Sequence, residues 1–400
     1  MGRIRTKKLL FIQGGTRVKE DNQGKWYSDF NFTDAVFARY KNLCGELTVI
    51  LRKEEKIYEH SYAISHFNRI DETMLRLVAV EDCMMPRRNC LDMVLLKGIW
   101  KTIEREVKKA DRVIIRSVLN FYTIAAARLC EKYQKEYLVE VTGYAFEGYI
   151  TRGFPGIVLA CPAEIIMKHY IKKAPYVLYV TEWKLQRRYP TKGISIGCSD
   201  VEIPDIDTMH RGQRKDKQRK LLLGTIGIVD AKHKGIGYAI KALYLLKCQG
   251  IDQIEYQIVG KGDARGLKKL AKRYGVEKQV KFCGVYRKEQ IVKWLHQMDV
   301  YIQPSISEGL CRSIVEAMNA GCPVIATDAG GNCELIEPPF LVPKRNANAI
   351  AERVKMFQNP YLRKRQSKKN YQKSFCYRES VLTPKRNAFF EQFMRGSDES

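Results

Sequence analysis

Residues 304–336 read PSISEGLCRSIVEAMNAGCPVIATDAGGNCELI, and this stretch decides the fold. An apolar strand, VYIQPS at 300–305, runs into a short loop that carries Glu308 and Gly309. A helix then begins near Cys311 or Arg312 and places Glu316 about one turn inside. Seven residues separate the two glutamates. A small-residue turn follows, then a second strand, PVIAT at 323–327, and the pair Gly330-Gly331. Strand, loop, helix, turn and strand form the repeating unit of a parallel sheet covered on both faces.

Working outward, the same alternation fills the chain. Strands are expected at 8–13, 47–51, 112–117, 137–141 and 176–181, rich in Val, Ile and Leu. Helical periodicity covers 103–109 and 122–133. A polar, charge-rich stretch at 203–220 reads as a linker. Strands restart at 221–229, 253–260 and 280–284, with helices at 237–248, 264–274, 288–297 and 313–320. The fold class is therefore α/β, with two sheet-and-helix domains. Four hundred residues also exceed one ordinary core.

The net charge of +26 is shared by both halves. It points to nucleic acid, an anionic membrane face or polyphosphate ligands, against the plainer reading of a basic, soluble surface. Basic clusters stand at 210–220 and 363–373. KHYIKKAPY at 168–176 mixes lysines with apolar residues, as an interfacial helix does. No apolar run reaches the roughly eighteen residues of a membrane span. The N-terminal MGRIRTKKLL lacks the apolar region and cleavage site of a signal peptide. Twelve cysteines without a C-x-x-C pair favour a reducing cytoplasm. The even spacing of Cys311, Cys322 and Cys333 reads as small buried residues before a metal site.

The free amides at the start of the helix after Gly309 form a ready anion site. Gly309 gives backbone access to a diphosphate. Glu308 is placed to accept hydrogen bonds from sugar hydroxyls, and Glu316 to chelate a vicinal diol such as a ribose. Taken singly, each glutamate is better explained plainly, Glu308 as favouring the helix start and Glu316 as lying on a solvated helix face. Together, between these strands, they fit a sugar nucleotide. KHKGIGYAIKAL at 232–243 puts Lys234 before Gly235 at the mouth of a helix, where an ammonium neutralises a diphosphate. VGKGD at 259–263 lacks the third glycine of a dinucleotide loop, and no phosphate-cradling G-x-x-x-x-G-K-[ST] occurs.

These motifs resemble glycosyltransferase family 4, the retaining sugar-nucleotide-dependent enzymes of GT-B architecture. The matches are Lys234-Gly235, I-V-G-x-G at 258–262, V-x-F-x-G at 280–284, D-V-x-I-x-P-S at 299–305, the Glu308/Glu316 pair, and G-x-P-V-I-A-T-D-x-G-G at 321–331 with Glu334. They run in family order across 221–337. Residues 177–193 resemble members that build bacterial capsule or surface polysaccharide.

The resemblance implies two Rossmann-like domains facing across a cleft. Residues 1–202 would bind the acceptor, completed by a C-terminal helix at about 376–400, and 221–375 would bind the donor. It implies catalytic roles for Glu308 and Lys234, with Glu316 on the ribose and the amides of Gly309, Leu310, Cys311 and Arg312 on phosphate oxygens. Val285 and Tyr286 would meet the base, and Gly14 and Gly15 would form a glycine loop facing the donor phosphates. Glu140 and Glu147 are candidates for the acceptor side. Ile228 stands where the family has an arginine, and Arg312 is the candidate substitute. The family's first-domain histidine is absent. A nucleoside-diphosphate sugar is the expected donor, with no required metal or other cofactor. The expected acceptor is a glycan or a polyprenyl-diphosphate-linked one. The expected place is the cytoplasm, peripheral on the inner face of the cell membrane. The rival readings are a sugar-nucleotide epimerase or hydrolase of the same architecture, a non-catalytic relative, and a basic nucleic-acid-binding protein, for which no recognisable motif exists.

Overall fold

The computed structural model describes residues 7–28, 32–151, 153–205 and 220–396. Most of the expected linker and all but the last residue of the basic cluster at 210–220 lie outside them.

The strands of the first half are β1 (Lys8–Asp21), β2 (Trp26–Ser28), β3 (Glu46–Tyr58), β4 (Asn68–Arg69), β5 (Arg76–Val80), β6 (Arg112–Arg116), β7 (Tyr137–Val141), β8 (Tyr176–Tyr179) and β9 (Ile194–Gly197). The parallel order is β5-β3-β1-β6-β7-β8-β9, with β2 antiparallel beside β1 and β4 antiparallel beside β2. The second half holds β10 (Leu221–Ile226), β11 (Ile254–Val259), β12 (Val280–Gly284), β13 (Val300–Gln303), β14 (Val324–Thr327) and β15 (Leu341–Val342), all parallel, in the order β12-β11-β10-β13-β14-β15. Helices cover both faces, so the central strands are buried throughout. Leu9 to Ile12, Val113 to Ile115 and Val324 to Ala326 are apolar at successive positions and all buried.

Each sheet reverses its winding once, between β1 and β6 and between β10 and β13. At such a point the connections leave in opposite directions and a crevice opens at the carboxyl ends of the strands. The two sheets turn these ends toward each other. Thr142, just past β7, sends its carbonyl to Gly309, just past β13, where a Cβ would lie 1.9 Å from it.

The chain crosses between the lobes twice, at one place. Ile203 and Arg378 form a parallel bridge, and Glu379 N donates to Ile203 O at 3.0 Å. The helix Glu379–Arg395 then packs back on the first lobe. Phe393 meets Tyr176 at 5.3 Å and Phe390 meets Tyr40 at 5.9 Å between ring centroids. A second tie is Glu334, whose carboxylate accepts from the amides of Glu182 (2.7 Å), Trp183 (3.0 Å) and Lys184 (2.7 Å). It caps a helix of the other lobe, Lys184–Arg188.

Some expected elements differ. The first strand does not stop at residue 13. It bulges between Ile12 and Arg17 and continues to Asp21. The helix expected at 103–109 begins earlier, at Met93, where Asp92 accepts from the amides of Val94 and Leu95. The lysine-rich 168–173 ends a longer helix, Phe154–Lys173, while Tyr176 belongs to β8.

Removing the Glu334 carboxylate strands three amide donors. Glu334→Ala is expected to lower stability by roughly 1.5–3 kcal/mol and to speed hydrogen exchange at residues 182–184. Unchanged exchange there would remove this tie from the account.

Candidate functional site

Lys234 follows β10 and Glu308 follows β13, so the second sheet's reversal brings them together. Lys234 Nζ donates to Glu308 Oε1 at 2.7 Å. Two backbone features force this approach. Gly235 sits at φ +65° with its α-carbon against the Pro304 carbonyl, where a Cβ would come within 2.0 Å. Ile306 N also donates to His233 O at 2.7 Å, pinning the two loops. The lysine stem lies over Gly227, where a Cβ would meet its Cγ at 3.4 Å. The K-G pair is thus a packing requirement as well as a charge.

Glu308 Oε1 also accepts from Ser305 Oγ at 2.6 Å and Gln303 Nε2 at 3.4 Å. Burial is the largest single influence on the Lys234 pKa and pulls it down, but the charge of Glu308, the influence of Cys311 and the hydrogen bond to Glu308 together outweigh it, and the net shift is upward. Lys234 is therefore a fixed cation. Neighbouring His233 is shifted down, by burial and then by Lys234, and is held neutral. Burial pushes the Cys311 thiol up to about 12, so it stays protonated.

The helix Arg312–Asn319 starts where expected, with Cys311 as its cap residue. Among the described residues no hydrogen bond uses the amides of Gly309, Leu310, Cys311, Arg312 or Ser313. These free donors and the helix dipole favour an anion. Leu310 and Cys311 are buried, while the Arg312 side chain is exposed. Glu316 lies one turn on and receives no side-chain hydrogen bond among the described residues. Burial raises its pKa, and Arg312 and Lys288 pull it only partly back.

Val285 and Tyr286 follow β12; Val285 is exposed and Tyr286 half-buried. Three strand spacings separate β13 from β12, about 14 Å, so an extended ligand reaches from Glu308 to Val285 along the strand ends. Ile228 is exposed and apolar. Arg312 is the cation of the Glu-Gly loop; burial pushes the Asp200 pKa up, but Arg116 and then Arg312 pull it down, and the net shift is downward.

The first-lobe candidates are placed differently from one another. Gly14 and Gly15 form the bulge within β1, at the first sheet's reversal, instead of a loop beyond it. A Cβ on Gly14 would lie 2.1 Å from Asn120 Oδ1, and Gly15 O accepts from Arg52 Nη2 at 2.8 Å. Both are packed against their own lobe. Glu140 is buried, accepting from Tyr40 Oη at 2.9 Å and Arg116 Nη1 at 2.7 Å. Glu147 pairs with Arg188 at 3.2 Å and lines a cavity of about 710 Å³ between the lobes. Sequence reading missed Asp200, which bonds Arg116 Nη2 at 2.7 Å. Its only signal is its place after β9. Among the described residues, no three His, Cys, Asp or Glu side chains are grouped to hold a metal ion.

Residues 205–373 match the family described as glycosyl transferases group 1. The chain is 36% identical over 253 residues to protein CapJ of Staphylococcus aureus, covering 61% of this chain and 62% of that protein. It is 37% identical over 128 residues to the amylovoran biosynthesis glycosyltransferase AmsK of Erwinia amylovora, covering 30% and 31%. The match thus spans less than two thirds of these curated relatives. Among solved structures, a sucrose-phosphate synthase from Thermosynechococcus elongatus superimposes with a TM-score of 0.69 at 16% identity, covering 98% of this chain and 100% of that one. Anabaena HepE in complex with UDP gives 0.62 at 15%, covering 96% and 99%. Likeness at such identity shows the fold, and the fold is GT-B.

The folded chain holds the Glu316 proton more tightly than the unfolded chain does, so ionisation at neutral pH works against folding. Glu316→Gln is expected to raise the melting temperature at neutral pH. The gain should shrink as pH falls through the raised pKa and vanish once the carboxyl is protonated in both states. A pH series of thermal melts checks this; lowered stability at neutral pH would contradict it.

Proposed function

We propose that this protein is a retaining glycosyltransferase, a reading supported by the match of residues 205–373 to the glycosyl transferases group 1 family. It moves a sugar from a nucleoside diphosphate to a hydroxyl of a glycan or lipid-linked acceptor in bacterial surface polysaccharide synthesis. The observation that carries this reading is the Lys234–Glu308 contact at the sheet reversal, beside the free amides of 309–313. The relatives support its setting: AmsK is named for amylovoran synthesis, and HepE is solved with UDP.

In this reading residues 221–375 bind the donor and 1–202 the acceptor. The diphosphate takes Lys234 and the helix amides, with Arg312 supplying the cation that Ile228 does not. Glu316 holds the ribose hydroxyls, and the base lies along Val285 and Tyr286. Glu308, released from Lys234, orients the sugar hydroxyls. The bond between the anomeric carbon and the phosphate oxygen breaks, and the acceptor oxygen bonds that carbon from the same face. The acceptor's proton goes to the departing phosphate oxygen. Charge grows on that oxygen in the transition state, where a fixed ammonium and fixed amide dipoles lower the barrier. The residues supply this electrostatic work without a metal. Glu147 faces the cleft on the acceptor side, whereas the carboxylate of Glu140 is held by Tyr40 and Arg116 and supports the lobe.

The membrane side of the proposal rests on the helix Phe154–Lys173. Phe154, Ile157, Val158, Leu159 and Ile165 are all more than half exposed there. A contiguous apolar patch of this kind marks an interaction surface. Lys168, Lys172 and Lys173 continue it on exposed positions. An anionic lipid surface satisfies both halves, while a second copy of a chain carrying +26 repels it. Among the described residues no helix is long and apolar enough to cross a membrane; the attachment proposed is peripheral.

Two measurements test the reading. With radiolabelled UDP-glucose and other nucleotide sugars, label should pass to a glycan acceptor only when that acceptor is present. Lys234→Ala should cut turnover by roughly 10²–10³. Conversion of donor without acceptor would favour an epimerase or hydrolase. In sedimentation with phosphatidylglycerol vesicles, Phe154→Ser/Ile157→Ser should weaken binding by about tenfold or more. Equal binding of wild type and variant would remove the helix from the membrane account.

A further inference from the structure

The cavity of about 710 Å³ lies between the lobes and is not part of the donor site described above. Its first-lobe wall is Trp183 with Arg187 and Arg188, and its second-lobe wall is Asp328, Gly330 and Lys344. Gly330 ties it to the reaction centre. A Cβ there would come within 2.1 Å of the Glu308 carbonyl, so the cavity begins on the far side of the Glu308–Gly309 backbone.

Its polar groups are unevenly matched. Lys184 pairs with Asp328 at 3.4 Å, and Arg188 with Glu147 at 3.2 Å and Glu164 at 2.7 Å. Among the described residues, Arg187 and Lys344 have no carboxylate partner. The Arg187 guanidinium lies 4.4 Å from the centre of the partly exposed Trp183 ring. Glu147 Oε2 is buried without a hydrogen-bond partner. The wall therefore offers an unfilled acceptor for a hydroxyl and two cations without a carboxylate partner, one of them stacked on Trp183.

Resting on the transferase reading, we propose that this cavity is the acceptor subsite and that its occupant is a saccharide bearing a carboxylate. A neutral sugar leaves Arg187 and Lys344 without a counter-charge. The carboxylates of Glu147 and Asp328 in the same walls oppose a dianionic phosphate and suit a singly charged ring with free hydroxyls.

The test measures binding of hexagalacturonate, of neutral maltohexaose and of UDP by titration calorimetry. The wild type should bind hexagalacturonate at least tenfold more tightly than maltohexaose. Arg187→Gln/Lys344→Gln should lose at least tenfold toward hexagalacturonate and keep wild-type affinity for UDP, which also shows that the variant folds. Lys364→Gln/Lys368→Gln, on the exposed side of the helix Pro360–Ser374, should change neither. Failure of the wild type to bind hexagalacturonate, equal affinity for the two saccharides, an unaffected cavity variant, or an equal loss in the surface variant would each overturn the proposal. Absence of UDP binding by the wild type would instead strike the transferase reading, so the two failures are separable.

Discussion

The contact between Lys234 Nζ and Glu308 Oε1, 2.7 Å long, is the interaction on which the site depends. Both side chains are mostly withdrawn from water, with 19% and 11% of their surfaces exposed. An ammonium in that setting is stable only beside a counter-charge. Without a ligand, Glu308 supplies it. In the proposed reading, a diphosphate entering over the free amides would carry more negative charge and replace Glu308, and the freed carboxylate would turn to the sugar hydroxyls. Such an exchange would need no large rearrangement, because the Gly235–Pro304 approach and the His233–Ile306 hydrogen bond already hold both loops. Prior placement of the charges removes most of the reorganisation a solvent-exposed lysine would require.

The same loop fixes the lobes. Gly309 lacks a side chain because the Thr142 carbonyl occupies that space. Its own carbonyl accepts from Gly331 N at 2.6 Å, and Glu334 reaches the amides of 182–184 from the short helix that follows. On the first lobe, Glu140, Arg116 and Asp200 form a run of ion pairs ending in the electrostatic reach of Arg312. Residues that frame the anion site are thus also residues that bring the lobes together.

Much of this was legible in the chain, for physical reasons. Parallel strands buried on both faces leave continuous apolar runs, and that signal located most of the core strands. The Glu-Gly loop was legible because helix start, glutamate spacing and flanking strands agreed. Glycine was the weakest witness. Gly14, Gly15 and Gly309 each announced a close backbone approach, but sequence does not say to what, and the partners are Asn120, Gln13 and Thr142. Glu140 was a candidate for the acceptor side. Its partners Tyr40 and Arg116 lie 100 and 24 residues away, beyond any local pattern. The exposed apolar half of Phe154–Lys173 was hidden too, since apolar residues at helical spacing read alike whether they face a core or the outside.

The central claim is that a diphosphate displaces Glu308 as the partner of Lys234. A crystal structure of the protein soaked with UDP tests it directly. The account predicts a phosphate oxygen within about 2.7–3.1 Å of Lys234 Nζ, further phosphate oxygens on the amides of 309–313, and the ribose hydroxyls on Glu316. A UDP bound elsewhere, with the lysine still joined to Glu308, would contradict it.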